Sequence, residues 1–355
     1  MMKKIFRDFF ILFGLFTLWA STSRVAMQYV VNRRDVNTWW GSYQCLHGDL
    51  ISMSYLDFVP VFRNAPVNIP PTRDPIGPKN TALYLYGDSY SWTVKKTDFP
   101  SIADFYFFNR DLPMRYHLDS TKRNVLILEI SERMLRDVFQ DSRIMNNVKD
   151  TLPRSRNRYA ALFELKSLFN PLINQNLQCN LFNYNFIMPM FETKAALNYY
   201  LFNRASGDVV ISDDRQFLFL RTTVSRTSTA SSYIPIPDED IDRLADTINK
   251  VYDHLIAAGF DEVYLAAIPN CATIMQPAGY NGLIPRLYNN PKLRIATIDA
   301  YTTFKNTTDV LYYHGDTHWN MEGERIWTNI VSDQLARGAM RYKQTSADTT
   351  TIHKP

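Results

Sequence analysis

The sequence predicts an α/β fold: three layers around a parallel sheet, with a helical and β-hairpin insertion at about residues 141–236. Three observations predict it. The apolar runs Ala82–Leu85, Asn124–Ile130 and Glu262–Ile268 have the length of strands, and the second is an unbroken branched-aliphatic run, as suits a strand buried on both faces. Between the last two runs, Ile241, Leu244, Ile248, Val251, Tyr252 and Leu255 recur at helical spacing over 238–258, and Gly259 closes that helix. The first run breaks sharply at Gly87-Asp88-Ser89, which puts a serine at the carboxyl end of a strand, where open α/β sheets place their ligands. Glycine at such a turn suits dihedrals that a β-carbon would resist.

At the amino terminus Lys3, Lys4 and Arg7 precede Phe9–Ala20, apolar apart from one threonine, which is the pattern of an export segment. That run is short for a bilayer span of about 20 residues, but Ser21–Ser23 are small and only Arg24 interrupts before Val25-Ala-Met. Residues 1–27 therefore read as a signal peptide or a membrane anchor, the anchor being preferred. Residues 28–80, with Trp39-Trp40 and Pro60, Pro66, Pro70, Pro71, Pro75 and Pro78, read as an extended lead-in. The main domain spans 81–340, and the Thr-, Ser- and Lys-rich stretch 341–355 reads as a disordered tail.

Within the domain, a short helical stretch and a loop around Pro100 lead to a second strand at Arg115–Leu118. Asn124–Ile130 is the third strand and ends at Ser131-Glu132-Arg133. The insertion follows, with helices at 158–173 and 190–202 and a hairpin, Asp208–Ile211 against Gln216–Leu220, turning at Asp213-Asp214-Arg215. Its many Phe and Tyr residues suit either a core or the walls of a carbohydrate cleft, the core being the commoner use. Thr227–Ser232 is a polar connector. After the helix 238–258 and the strand Glu262–Ile268 come a strand at Leu293–Asp299, a loop to Tyr313 and a last helix from about Asn320 to Arg337.

A content of 46% hydrophobic residues in 355 marks a globular chain. The net charge of +4 carries no dense Lys/Arg block interleaved with aromatics beyond the amino terminus, which argues against a nucleic-acid partner. The three cysteines, Cys45, Cys179 and Cys271, form no Cys-x-x-Cys pair, so no metal site follows from them. They read as buried or incidental thiols. No cofactor is called for.

A serine hydroxyl needs a base to act as a nucleophile, usually a histidine oriented by a carboxylate. Near the carboxyl end, Gly315-Asp316-Thr-His318-Trp319 supplies both, leading into an amphipathic helix. An early Gly-Asp-Ser and a late Asp-Thr-His-Trp, in the order Ser89, Asp316, His318, resemble the SGNH hydrolase superfamily and within it the alginate O-acetyltransferase-like branch, over about Thr81 to Leu335. The resemblance implies a flavodoxin-like sheet and a covalent acyl-enzyme on Ser89, with His318 as base and Asp316 orienting it. Such proteins commonly stabilise the oxyanion with the serine N–H, a glycine N–H and an asparagine, yet no glycine stands between Gly87 and Gly207. Glu132-Arg133 falls where the wider superfamily has the asparagine, as in the alginate-type branch. Arg133 is thus the candidate for positive charge at the oxyanion, an ion pair with Glu132 or another acid being its alternative role. Trp319 is expected beneath His318, with Ile326, Ile330 and Leu335 facing the sheet and Glu324 and Arg325 facing water. The resemblance and the export segment together imply a periplasmic or otherwise extracytoplasmic O-acetyltransferase. Its acceptor would be a cell-surface or exported polysaccharide, and a membrane-bound acyl-transfer partner would supply the acetyl group. An exported carbohydrate esterase and an inactive glycan-binding scaffold are the alternatives.

Overall fold

The computed structural model describes residues 2–23, 26–27, 47–63, 79–110, 112, 114–140 and 173–351. The chain divides into two compact units, one of Met1–His47, Ser54–Pro60 and Leu152–Ser206 and the other of Gly48–Met53, Val61–Thr151 and Gly207–Pro355.

The second unit holds the sheet. Strands β1 (Thr81–Gly87), β2 (Ile102–Asn109) and β3 (Arg123–Ser131) precede a separate antiparallel hairpin, β4 (Val209–Ile211) and β5 (Leu218–Leu220). Strands β6 (Glu262–Ile268) and β7 (Ala296–Thr297) then complete an all-parallel sheet of order β2-β1-β3-β6-β7. Side chains alternate across it as strand geometry requires. Leu83, Leu85, Val125 and Ile127 meet helices Ala300–Asn306 and Met321–Thr351, while Tyr84, Tyr86, Leu126 and Leu128 meet helices Glu132–Gln140, Asp238–Ala257 and Leu283–Tyr288. Covering both faces is what makes β1 and β3 buried along their whole length. The order also positions the site. The chain leaves β1 toward β2 on one side and β3 leads to β6 on the other, so the carboxyl end of β1 lies at the reversal, where a doubly wound sheet opens a crevice.

Two strands differ from the sequence expectation. The second strand is Ile102–Asn109, whereas 115–119 are irregular. As an edge strand paired with β1 alone, β2 is only part-buried, and its Asp104 and Asn109 mask the strand pattern of its aromatic run. The last strand keeps two of the seven expected residues, pairing Tyr264 with Ala296 and Leu265 with Thr297 at the opposite edge. The hairpin forms in the expected place, with Arg215 in the left-handed region at its turn.

Helix Asp238–Ala257 buries Ile241, Leu244, Ile248, Val251 and Leu255. The last helix continues to Thr351, through much of the stretch expected to be disordered; no Gly or Pro between Gly338 and Pro355 interrupts it. Its buried stripe is Trp327, Val331 and Leu335, with Ile326 and Ile330 on the flank. The stripe turns by one residue because the indole of Trp327 is the largest apolar group available to fill the layer. Glu324 is correspondingly half-buried and accepts the Thr93 hydroxyl, and Arg325 pairs with Glu322.

The first unit contains helices Met2–Thr22, Ile173–Phe182 and Met188–Phe202. The expected helix 190–202 is the last of these, whereas the expected helix 158–173 and most of the proline-rich lead-in lie outside the described residues. The insertion is therefore not one body. Its 152–206 part joins the amino-terminal helix, and from Gly207 the chain belongs to the sheet unit. Aromatic contacts explain that assignment, since Phe191 packs on both Tyr55 and Phe182. Helix Met2–Thr22 is long and apolar enough to cross a membrane.

Replacing Trp327, wholly buried among Phe99 and Trp319, with Ala should cost about 3–5 kcal/mol, read as a lower urea midpoint at unchanged slope.

Candidate active site

Beyond Gly87 the chain enters a short 3-10 turn, Ser89–Ser91, held by Asp88. One Asp88 oxygen accepts the Tyr90 N–H at 3.1 Å, and the other accepts the Ser131 hydroxyl at 2.8 Å and the Arg110 guanidinium at 3.3 Å. Gly87 itself has no positive φ. Its requirement is space, because a β-carbon there would stand 2.4 Å from Glu129 Oε2. That carboxyl accepts the Asp88 N–H at 3.1 Å and the Ser91 hydroxyl at 2.8 Å. Burial, and then the charge of Asp88, pushes it well above the usual carboxylate range.

The structure brings Ser89, His318 and Asp316 together. Ser89 Oγ lies 2.7 Å from His318 Nε2, and His318 Nδ1 lies 2.6 Å from Asp316 Oδ1. An acid and a histidine two residues apart meet because Asp316 Oδ1 also accepts the His318 backbone N–H at 2.9 Å. That local turn folds the carboxylate back along its own chain toward the ring. The following residue pair starts the last helix, with Asn320 Oδ1 accepting the N–H groups of Glu322 and Gly323.

Two residues of this site are absent from the sequence reading. Tyr90, next to the serine, is wholly buried. Its hydroxyl donates to the Thr317 carbonyl at 2.5 Å, and its ring packs on His318 with centroids 4.9 Å apart. Asp49, from the lead-in, accepts the Thr317 N–H at 2.8 Å and the Thr317 hydroxyl at 2.6 Å, while its own N–H donates to Asp316 Oδ2 at 3.0 Å. A pair of glycines permits that approach. Gly48, at φ +146°, sits against the Gly315 carbonyl, and Ile51 N–H donates to the same carbonyl at 3.1 Å. The one sequence signal for Asp49 was Gly48 beside it, and nothing local linked that pair to a loop 267 residues on.

Trp319 lies one layer deeper than expected. Tyr90 occupies the place beside His318, and Trp319 packs edge-on against Tyr90 and on Phe304 and Trp327. Arg133 makes no ion pair with Glu132. Its guanidinium lies 5.8 Å from the Tyr90 ring centre, a cation–π placement, whereas buried Glu132 accepts the Asn270 N–H and the Thr273 hydroxyl. Arg133 also lines a cavity of about 10 Å³ with Tyr90, Leu218, Asn270, Cys271 and Thr317, room for about one water. Cys271 is buried and Cys179 half-buried, both as free thiols, and Cys45 lies outside the described residues. The hairpin of the insertion braces the loop: Leu218 N–H donates to the His314 carbonyl at 2.8 Å, and Phe217 stacks on the His314 ring.

The charges of the loop are ordered. Burial alone would raise Asp316, but its hydrogen bonds and charge attraction with His318 outweigh that and hold it below its ordinary value. Asp49 moves the other way, raised by burial and by the charge of Asp316. Asp49, Asp316 and His318 also stand close enough to hold a cation between them. Each of their donor atoms is already engaged in the hydrogen bonds above, so the arrangement is suited to moving a proton between Ser89 and His318. Compared with models of known protein families, with curated proteins and with solved structures, the chain matches none.

Tyr90→Phe should destabilise the fold by about 1–3 kcal/mol, because it leaves the buried Thr317 carbonyl without its donor; denaturant unfolding reads this. Asp316→Asn should lower stability at neutral pH by about 1.5–3 kcal/mol, the scale of a charged hydrogen bond. Because folding holds the carboxyl below 3.8, its contribution is present above that pH and is lost as pH falls below it. The gap between wild type and variant should therefore close below pH 3.8, followed by thermal unfolding across pH.

Proposed function

We propose that this chain is an O-acetyltransferase working through an acyl-enzyme on Ser89, with an extracytoplasmic polysaccharide as acceptor. The observation that carries the reading is the hydrogen-bonded series Ser89 Oγ, His318 Nε2, His318 Nδ1, Asp316 Oδ1 at the carboxyl end of β1. Ser89 Oγ attacks the acetyl carbonyl as its proton passes to His318 Nε2, and Asp316 stabilises the imidazolium. The proton then goes to the departing oxygen or sulfur of the donor, leaving acetyl-Ser89. A sugar hydroxyl repeats the sequence in reverse, giving its proton to His318 as its oxygen bonds to the acetyl carbon, and Ser89 regains a proton as the ester leaves.

Two groups would serve the oxyanion in this reading. Among the described residues the Ser89 N–H donates no hydrogen bond, so it is available to the developing charge. Arg133, held over the Tyr90 ring, supplies positive charge from the neighbouring residue's side. Helix Met2–Thr22 serves as a retained anchor in the inner membrane, which puts the sheet unit on the periplasmic side beside a membrane-bound acyl-transfer partner. The transferase assignment over a carbohydrate esterase rests on the Asp316-Thr-His-Trp319 resemblance together with that anchor.

The test incubates the full chain with an activated aryl acetate and a panel of oligosaccharides. Mass spectrometry should find acetyl on Ser89, and acetylated sugar should exceed free acetate. Ser89→Ala should remove both products by at least about 10³-fold. Acetate release that no oligosaccharide alters would assign an esterase, and turnover that survives Ser89→Ala would overturn the reading.

A further inference from the structure

Helix Met188–Phe202 is apolar on both faces. The face that packs within its unit carries Met188, Glu192 and Ala195, all buried, at helical spacing. The opposite face carries Met190, Leu197 and Leu201, exposed by 73%, 54% and 68%, with Tyr200 at its edge at 64% and Phe202 exposed by 62% at the end of the helix, in register with Ala195. A water-soluble helix presents a polar face to solvent instead. The two polar side chains on the outward face are also consistent with an apolar surrounding. The Thr193 hydroxyl donates to the Pro189 carbonyl of its own helix at 2.7 Å, and Lys194 has a stem long enough to carry its ammonium to a polar boundary.

The same unit determines what lies next to this helix. The last turns of helix Met2–Thr22 pack on helix Ile173–Phe182 through buried Thr17, Ala20, Ser21 and Thr22. Asn176 donates to the Ser21 carbonyl at 2.8 Å, and Asn180 donates to the Ser21 hydroxyl at 2.7 Å. The end of helix Ile173–Phe182 is in turn joined to helix Met188–Phe202 by Phe182 on Phe191, 6.0 Å between ring centres. The exit of the anchor is thereby fixed to the element that carries the outward apolar face. Upstream of that exit, Thr17, Ser21 and Thr22 return their hydroxyls to carbonyls of their own helix, as groups leaving hydrocarbon must.

We propose that the face Met190–Leu197–Leu201, with Tyr200 and Phe202 at its end, lies in the interface of the lipid bilayer crossed by helix Met2–Thr22. The 173–206 part of the insertion is then a membrane-docking element that clamps the anchor and is retained with it. The proposal rests on the anchor reading given above. Lipid is the occupant that the adjoining anchor brings to this face. The aromatic pair suits the headgroup depth, and the single cation suits an anionic surface.

The experiment uses the full chain in a Cys45→Ser, Cys179→Ser background, Cys271 being buried and unreactive. An environment-sensitive fluorophore is attached through Leu201→Cys, Leu197→Cys, Leu12→Cys or Thr303→Cys. The protein is reconstituted into vesicles of phosphatidylethanolamine and phosphatidylglycerol, with and without brominated acyl chains. Positions 201, 197 and 12 should each be quenched at least about twofold by brominated lipid, as expected for burial 5–10 Å deep, and position 303 should not. Quenching at 12 but not at 197 and 201, with iodide reaching the latter two, would overturn the proposal and leave the anchor standing. Shielding of 197 and 201 from both quenchers would mean that protein, such as a second copy, covers the face, which also overturns it. No quenching at position 12 would remove the anchor itself.

Discussion

The candidate site depends on one buried contact, the Tyr90 hydroxyl on the Thr317 carbonyl. The serine turn belongs to β1 and the Asp316–Trp319 loop to the far end of the chain, 229 residues later, so nothing local aligns them. Tyr90 does so from the position next to the serine. Its hydroxyl fixes the height of the loop and its ring fixes the plane of His318, while Trp319 closes the other edge of that ring against the layer of helix Met321–Thr351. A phenol suits this task because it combines an apolar body with a single polar tip that can be satisfied by one carbonyl.

Around that contact the acids are sorted by environment. Glu129, sealed in the sheet behind the serine turn, is pushed well above the usual carboxylate range by burial and by the charge of Asp88. On the loop, Asp316 is kept ionised by His318, and its charge raises its neighbour Asp49. The imidazole is held between two partners, with Nδ1 facing the Asp316 carboxylate and Nε2 facing Ser89 Oγ. Asp49 acts through Thr317 and the Asp316 carboxylate rather than on the ring directly, from which it stands 3.9 Å away.

The division of the insertion gives its two parts different work. The hairpin Val209–Leu220 stays with the sheet and braces the His314 end of the loop. The aromatics of 173–206, which suited either a core or a carbohydrate cleft, belong instead to the unit of the amino-terminal helix. Phe182 and Phe191 pack on each other there, Phe191 part-buried, whereas Tyr200 and Phe202 remain outward.

Sequence alone determined whatever rests on short-range pattern. The branched-aliphatic run within Asn124–Ile130 suited a strand buried on both faces, and the spacing of Ile241 to Leu255 suited a helix with one buried side. The break after Ala82–Leu85 put Ser89 at a strand end. The grouping of Ser89, Asp316 and His318 was expected from their chain order and from the resemblance, and no local pattern joined them. Tertiary structure decided what depends on distance and crowding. Strand β2 was hidden because an edge strand is only part-buried, and Asp104 and Asn109 interrupt its aromatic run. The reason for Gly87 proved to be the bulk of Glu129 on the adjacent strand rather than its own dihedrals. Asp49 and Tyr90 were invisible because an acid in a lead-in and a tyrosine after a serine acquire their roles only when Thr317, more than 220 residues away, folds against both.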